Sequence, residues 1–484
     1  MITGRKLFMP KVNPLLLIYV VIIVAMNGCA HDNQQKEQQR ILPPDRLDII
    51  LERGKLIATT DYNSTNYFIY RGTPMGFQYD LLKAFADHLN VKLEIKISTS
   101  LTQAYDLVRS GECDIIALDI AVTGQRRKFL DFTKPISKTR QVLVQRKPDK
   151  WRKMKTWDEV EKQLIRDPID LIRDTVYVQK NTSFSLRMKN LMEEIGDTIY
   201  VIEDPHREME ELITQVAKGN VKYTIADEHV ALVNSRYYAD IDVKTPVSFN
   251  QNLAWAVNKG NKTLVKEINK WLTDFNEELA YIHIYNKYFR NSRYSNIARS
   301  EFSSITGNRI SQYDDIVQRE AKQIGWDWRL LASMIYQESG FHHNSRSWVG
   351  AWGIMQLMPE TMTNLGIDTT ASVEDQIVAG VKFIQWLDSQ FFDLVPDSTE
   401  RRKFVMASYN VGIAHVLDAI RLTEKYGGDP KKWDGNVNYY LRKKSNPEYF
   451  NDEVVYYGYA RGEEPYNYVN EIYDRYNHYR NILQ

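Results

Sequence analysis

Residues 46–290 alternate short apolar runs with amphipathic helical stretches, and beyond residue 306 the strand-like runs almost cease. No other feature restricts the fold as much. Alternation of this kind specifies an α/β unit, whereas helical periodicity alone specifies a mostly α one. A chain of 484 residues also exceeds what one ordinary core organises, so the change of character marks two successive domains. In the first, residues 55–59 and 92–97 read as strands, the latter by strict alternation. Residues 80–89 read as a helix, and Gly111-Glu112-Cys113-Asp114 turns into a further strand. In the second, residues 313–324, 328–338, 377–391 and 400–409 carry helical spacing. Residues 291–306 are rich in Ser and Asn and read as a linker.

One carboxylate stands out in the helical part. Leu330, Leu331, Met334, Ile335 and Glu338 recur at three- and four-residue steps, so Glu338 continues an apolar stripe. Gly340 then stops the helix. Apolar surroundings disfavour the charged form, and the negative end of the helix dipole pushes the same way. A carboxyl that keeps its proton near neutral pH is suited to protonate a glycosidic oxygen. The residues point to an enzyme that cuts a polysaccharide. Glu360 and Asp368 are the nearest candidates for a second carboxylate, by sequence proximity alone.

The N-terminus reads as an export signal. Arg5, Lys6 and Lys11 precede the apolar run of residues 15–26, which is shorter than the roughly 20 residues a transmembrane helix needs. Asn27-Gly28-Cys29 follows, and a small residue before Cys at this place resembles a bacterial lipoprotein box. It implies cleavage after residue 28, lipidation of Cys29 and a tether over residues 29–45. The alternative is an uncleaved anchor. Ala30 follows the cysteine where Asp would favour inner-membrane retention, so a periplasm-facing outer-membrane site is expected. With Cys29 lipidated, Cys113 is the remaining cysteine and reads as a small buried residue. A formal net charge of +1 argues against nucleic-acid binding. No nucleotide-binding loop or metal motif is present, no cofactor is expected, and His342-His343 reads as polar surface.

Two resemblances cover most of the chain. Gly76-Phe77-Gln78-Tyr79-Asp80, Gly111-Glu112-Cys113-Asp114, Thr123-Gly124-Gln125-Arg126 and Asp131-Phe132-Thr133-Lys134-Pro135 come in the order of the family 3 solute-binding proteins. Residues 176–183, Ala226-Asp227-Glu228 and residues 253–257 continue that order. The resemblance, over residues 46–290, implies a two-lobed periplasmic-binding-protein fold with ligand between the lobes. It implies that Arg126 clamps an α-carboxylate, Asp227 receives an amino group, Thr123 and Thr182 add hydroxyls, and Tyr67 and Phe77 line the cleft. Asn181 departs from the family's usual Gly.

Glu338-Ser339, Gly353-Ile354-Met355-Gln356, Ser408-Tyr409-Asn410 and Tyr468-Val469 come in the order of the soluble-type lytic transglycosylases, which share a fold with goose-type lysozyme. This implies a lysozyme-like catalytic domain over residues 307–484. Glu338 becomes acid and then base, and Ser339 fixes its loop. Met355, Gln356, Tyr409, Asn410 and Tyr468 form the substrate site. The implied substrate is peptidoglycan, cut between N-acetylmuramic acid and N-acetylglucosamine with a 1,6-anhydro product, under control of a small amino acid or muropeptide in the first domain. A lysozyme-like hydrolase and an inactive sensor are the alternatives.

Overall fold

The period-two run of residues 92–97 forms a strand over those same residues, and its neighbours follow the expected alternation. The computed structural model describes residues 45–483 apart from 181, 278, 292, 293, 295, 296, 298, 299 and 306. The expected export signal, Cys29, its tether and Asn181 therefore lie outside the described residues. Among the described residues no helix is long and apolar enough to cross a membrane.

The strands that matter are β1 (Lys55–Thr60), β2 (Lys92–Ile97), β3 (Ile115–Ile116), β4 (Leu130–Phe132), β5 (Gln141–Arg146), β6 (Thr175–Gln179), β7 (Tyr200–Asp204), β8 (Tyr223–Asp227), β9 (Ile241–Pro246) and β10 (Ala256–Asn258). They form two five-stranded sheets, β2-β1-β3-β10-β4 and β7-β6-β8-β5-β9. In the first, β1 runs parallel to β2 and β3, while β10 returns antiparallel between β3 and β4. In the second, β6 is parallel to β7 and β8, and β5 is antiparallel to β8 and β9. The chain passes between the lobes through Ser137–Thr139 and Gln251–Leu253, which pair antiparallel.

Strand β3 is shorter than the apolar run 113–118 suggests. Asp114, just before it, is fully enclosed by Arg46, Arg53 and the Ile57 amide, which ties its carboxyl to the neighbouring strand and helix. Cys113 is buried, and burial pushes its thiol up to about 12, consistent with a packing role. The first lobe closes over Trp255, whose indole stacks on Trp271 with 6.0 Å between ring centres and donates to Gln78 Oε1 at 2.8 Å.

Helix α1 (Phe77–His88) belongs to that lobe. The second domain contains α2 (Asp314–Gln323), α3 (Trp328–Ser339), α4 (Val373–Phe391), α5 (Ser398–Val411) and α6 (Glu463–Ile482). Asp327 caps α3 by accepting from the Arg329 amide at 2.9 Å. Leu330, Leu331, Met334 and Ile335 face a core shared with Ile384, Phe404 and Ile472. Helix α5 packs against α4 and α6, and α6 also covers α3.

Helix α6 reaches back to the first domain. The Tyr479 hydroxyl donates to the Gly72 carbonyl at 2.9 Å, Asn481 Nδ2 donates to Ile95 O at 2.6 Å, and His478 Nδ1 lies 2.6 Å from the Tyr67 hydroxyl. The segment read as a linker is fastened rather than solvated where it is described. Tyr294 is buried edge-on to Tyr288 with ring centres 4.4 Å apart, and Ser304 Oγ accepts from the Ile69 amide at 2.9 Å. Its Ser- and Asn-rich composition hid this, because hydroxyls can pair with an exposed sheet edge as well as with water.

Candidate active site

Helix α3 ends where its stripe predicts. Gly340 adopts φ 57° and its amide returns to Tyr336 O at 2.8 Å. Ser339 Oγ donates to Ile354 O at 2.8 Å, which ties the end of α3 to the loop of residues 353–356. Two non-glycine residues beside this junction, Phe341 at φ 63° and Gln356 at φ 47°, hold left-handed backbone. Such conformations cost on the order of 1 kcal/mol each and persist where surrounding bonds over-determine them. Here the bonds are visible. Gln356 Nε2 donates to Ser345 O at 3.0 Å and Gly353 O at 2.8 Å, and the Ile354 amide donates to Gln376 Oε1 at 2.9 Å. Gly353, at φ 85°, has no room for a Cβ, which would meet Gln376 Oε1 at 2.4 Å.

Glu338 is half-buried overall, but its carboxyl is enclosed beside the Tyr468 hydroxyl. Burial pushes it up to about 8, and a hydrogen bond donated by the Tyr468 hydroxyl to Oε1 opposes that only in part. Among the described residues no other ionisable group shifts it. Glu360 and Asp368 are both exposed, Asp368 is occupied by Thr370, and neither acts on Glu338. Tyr409 donates to Met355 O at 2.7 Å, and the charge of Glu338 reinforces the effect of burial in keeping that phenol protonated. Tyr468 is buried on α6 and Asn410 is exposed at the end of α5.

One expected substrate contact needs correction. Met355 is fully buried, and its thioether arm packs against Gly380, whose Cβ would approach Met355 Cε to 2.5 Å. Its side chain belongs to the core, and its carbonyl holds Tyr409. Gln376 was not visible as a site residue in the sequence. The available signal was a Gln on the otherwise apolar face of α4.

In the first domain, Tyr67 and Phe77 also depart from expectation. Both are buried: Tyr67 meets His478, and Phe77 packs edge-on to Phe289 with ring centres 4.9 Å apart. Arg126 is half-buried, donates Nη1 to Ala121 O at 2.9 Å and has no carboxylate partner among the described residues. Thr123 Oγ1 is exposed and accepts from the Arg126 amide, while Thr182 Oγ1 donates to Gln179 O at 2.7 Å. Asp227 ends β8, and burial together with Asp119 and Asp61 pushes it up to about 8. Asp61 and Asp119 were missed, although both follow the carboxyl ends of β1 and β3, where α/β sheets place their ligands.

The profile of bacterial extracellular solute-binding proteins, family 3, matches residues 55–291, and that of the transglycosylase SLT domain matches residues 315–431. The membrane-bound lytic murein transglycosylase F of Desulfosudis oleivorans is 34% identical over 424 residues, covering 87% of this chain and 89% of that protein. This chain belongs to the membrane-bound lytic murein transglycosylase F family. The Shewanella woodyi protein of the same name is 29% identical, covering 94% of this chain and 90% of that one. An ancestral arginine-binding protein bound to arginine is 26% identical with a TM-score of 0.41, covering 49% of this chain and 99% of that structure. As a family member the chain is a lytic murein transglycosylase, built from a solute-binding α/β domain and a helical SLT domain.

Proposed function

We propose that the chain cleaves the β-1,4 bond between N-acetylmuramic acid and N-acetylglucosamine without water and releases a 1,6-anhydro-muramyl end. The observation that carries this is the isolation of Glu338, a carboxyl pushed up to about 8 with no second carboxylate acting on it among the described residues. A hydrolase normally needs that second group to attack the sugar or activate water. In this reading Glu338 gives its proton to the glycosidic oxygen, and the C1–O bond breaks. The substrate's acetamide carbonyl stabilises the positive sugar carbon. The ionised Glu338 then takes the proton from the C6 hydroxyl, whose oxygen bonds to C1. The acid is regenerated and no water is consumed.

Tyr468 donates to the carboxylate form and so steadies Glu338 between its two roles. Ser339 holds the end of α3 against the 353–356 loop. Gln356, with its amide nitrogen committed to backbone, offers its carbonyl oxygen to the sugars, and the exposed Asn410 offers a full amide. Digestion of peptidoglycan in isotopically labelled water tests the route. Unlabelled anhydro ends are expected, and labelled reducing ends would contradict it.

The domains are read as a solute-binding unit over 46–290, a linker over 291–306 and a catalytic unit over 307–484. The first domain acts as a sensor in which Arg126 takes the carboxylate and Asp227 the amino group of an amino acid or muropeptide. Helix α6 supports coupling, since it carries Tyr468 beside Glu338 and docks on the first lobe through His478, Tyr479 and Asn481. The relatives are named membrane-bound, and Cys29 is read as the lipidated residue that anchors the chain to the outer membrane, facing the periplasm. Cleavage rates that do not change at saturating ligand would sink the sensor reading.

A further inference from the structure

Asp61 and Asp119 share one amide. Asn66 Nδ2 donates to Asp61 Oδ1 at 2.8 Å and to Asp119 Oδ2 at 2.9 Å, which holds the two carboxyls side by side. Their other partners are also neutral: Asn63 Nδ2 on Asp61 at 2.6 Å and Gln78 Nε2 on Asp119 at 3.1 Å. Asp227 approaches from the second lobe, and the charges of Asp119 and Asp61 both act on it. The lobes are fastened at this edge, where Ser64 donates its amide to Glu210 Oε2 at 3.2 Å and its hydroxyl to Oε1. Among the described residues no Lys, Arg or His forms an ion pair with Asp61, Asp119 or Asp227, whereas Asp114 and Glu228 each have an arginine. The His229 imidazole feels the charge of Asp119, but burial pushes it down, toward the neutral ring. Three half-buried carboxyls from two lobes therefore act on one another with no ion-paired cation among the described residues.

A second observation points to an outside donor. Asn66 is 1% exposed, and the Oδ1 of the amide that bridges the two acids has no hydrogen-bond partner. A buried acceptor left unmade is costly, and folded proteins rarely leave one without a reason. Like charges this close also oppose joint ionisation, and burial with Asp119 pushes Asp61 up to about 7. A multivalent N–H donor with positive charge would answer all of these at once.

We propose that the cleft between the two lobes takes an amino acid, or a peptide end, bearing a second cationic nitrogen on its side chain, with that nitrogen seated between Asp61 and Asp119. This rests on the reading of the first domain as an amino-acid sensor. An α-amino group and an α-carboxylate satisfy Asp227 and Arg126 and leave the Asp61–Asp119 pair unanswered. An ammonium supplies three donors and a guanidinium five, enough for both carboxyls and Asn66 Oδ1. A neutral side chain of the same length desolvates the pair and returns nothing.

The test is calorimetric titration of the full chain with L-lysine and with L-norleucine, which keeps the four-carbon side chain and has hydrogen in place of the ammonium. Lysine is expected to bind at least about tenfold more tightly, as one desolvated charge-assisted contact provides. In Asp119→Ser that ratio falls. Norleucine binding as tightly as lysine to the unaltered chain overturns the proposal and leaves the amino-acid sensor standing. Neither compound binding overturns both. The comparison of the two ligands needs no variant, so it decides even if Asp119→Ser does not fold.

Discussion

The Tyr479 hydroxyl donates to the Gly72 carbonyl at 2.9 Å, joining the last helix of the catalytic domain to the tip of the hairpin formed by Phe68–Tyr70 and Thr73–Met75 in the solute-binding domain. Gly72 has φ 79°, and a Cβ there would lie 2.6 Å from both Tyr336 and Tyr479 and 3.1 Å from Phe341. Tyr336 and Phe341 flank Glu338 in sequence, and Tyr336 also meets Thr73 Oγ1 at 2.7 Å. The tip of one domain thus seats against the turn that carries the other's acid.

Gly72→Ala should loosen that seat. Left-handed strain and overpacking together are expected to cost about 2–4 kcal/mol. Calorimetric melting should show a lower or split transition, and limited proteolysis should cut sooner within residues 291–306. An unchanged melt would mean that the hairpin tip does not bear on the interface.

Tyr468→Phe removes the hydrogen bond that its hydroxyl donates to the Glu338 carboxyl. That bond favours the ionised form, so its loss should raise the acid's pKa and move the alkaline limb of the activity profile upward. The turnover rate should fall about tenfold or more, because the ionised intermediate loses a charge-assisted bond. A purely structural role for Tyr468 would lower the rate and leave the limb in place.

Glu338 also links acidity to stability. Its folded pKa of about 8 is above the ordinary 4.5, so the folded chain holds a proton that the unfolded chain has lost between those values. The associated stability is fully present below pH 4.5 and is lost as pH rises through 8. Glu338→Gln cannot ionise, so it should melt at a higher temperature than the parent at pH 9, with the gap narrowing toward pH 5. Equal melting curves at pH 9 would contradict a desolvated carboxyl.

His478 behaves in the opposite sense. Burial and then Arg475 push it down to about 4, below its usual 6.5, so the unfolded chain takes up a proton first as pH falls. The stability tied to the neutral ring is present above pH 6.5 and is lost between 6.5 and 4, amounting to about 3 kcal/mol at the lower end. Hydrogen exchange at residues 67–75 and 476–482 should therefore speed up from pH 7 to pH 5 in the parent, and much less in His478→Gln.

The stripe that ends at Glu338 and the alternation along β2 were legible because each is a local period tied to one buried face. Helix α3 accordingly runs Trp328–Ser339 against an expected 328–338. Contacts that depend on distant pairing were not legible. Tyr67 and Phe77 looked like cleft residues because they lie near family motifs, yet their partners are His478 on α6 and Phe289 on the helical segment Asn286–Arg290. Met355 fell inside a motif whose backbone, rather than its side chain, serves the site. Asp61 and Asp119 acquire meaning only when the sheet sets the ends of β1 and β3 together and the second lobe brings Asp227 to them.

The central claim, that Glu338 alone acts as acid and then base without water, is tested most directly by mass spectrometry of peptidoglycan digested by the parent and by Glu338→Gln. The account predicts anhydro-muropeptides from the parent and none from the variant. Reducing-end products from the parent, or anhydro products undiminished in the variant, would contradict it.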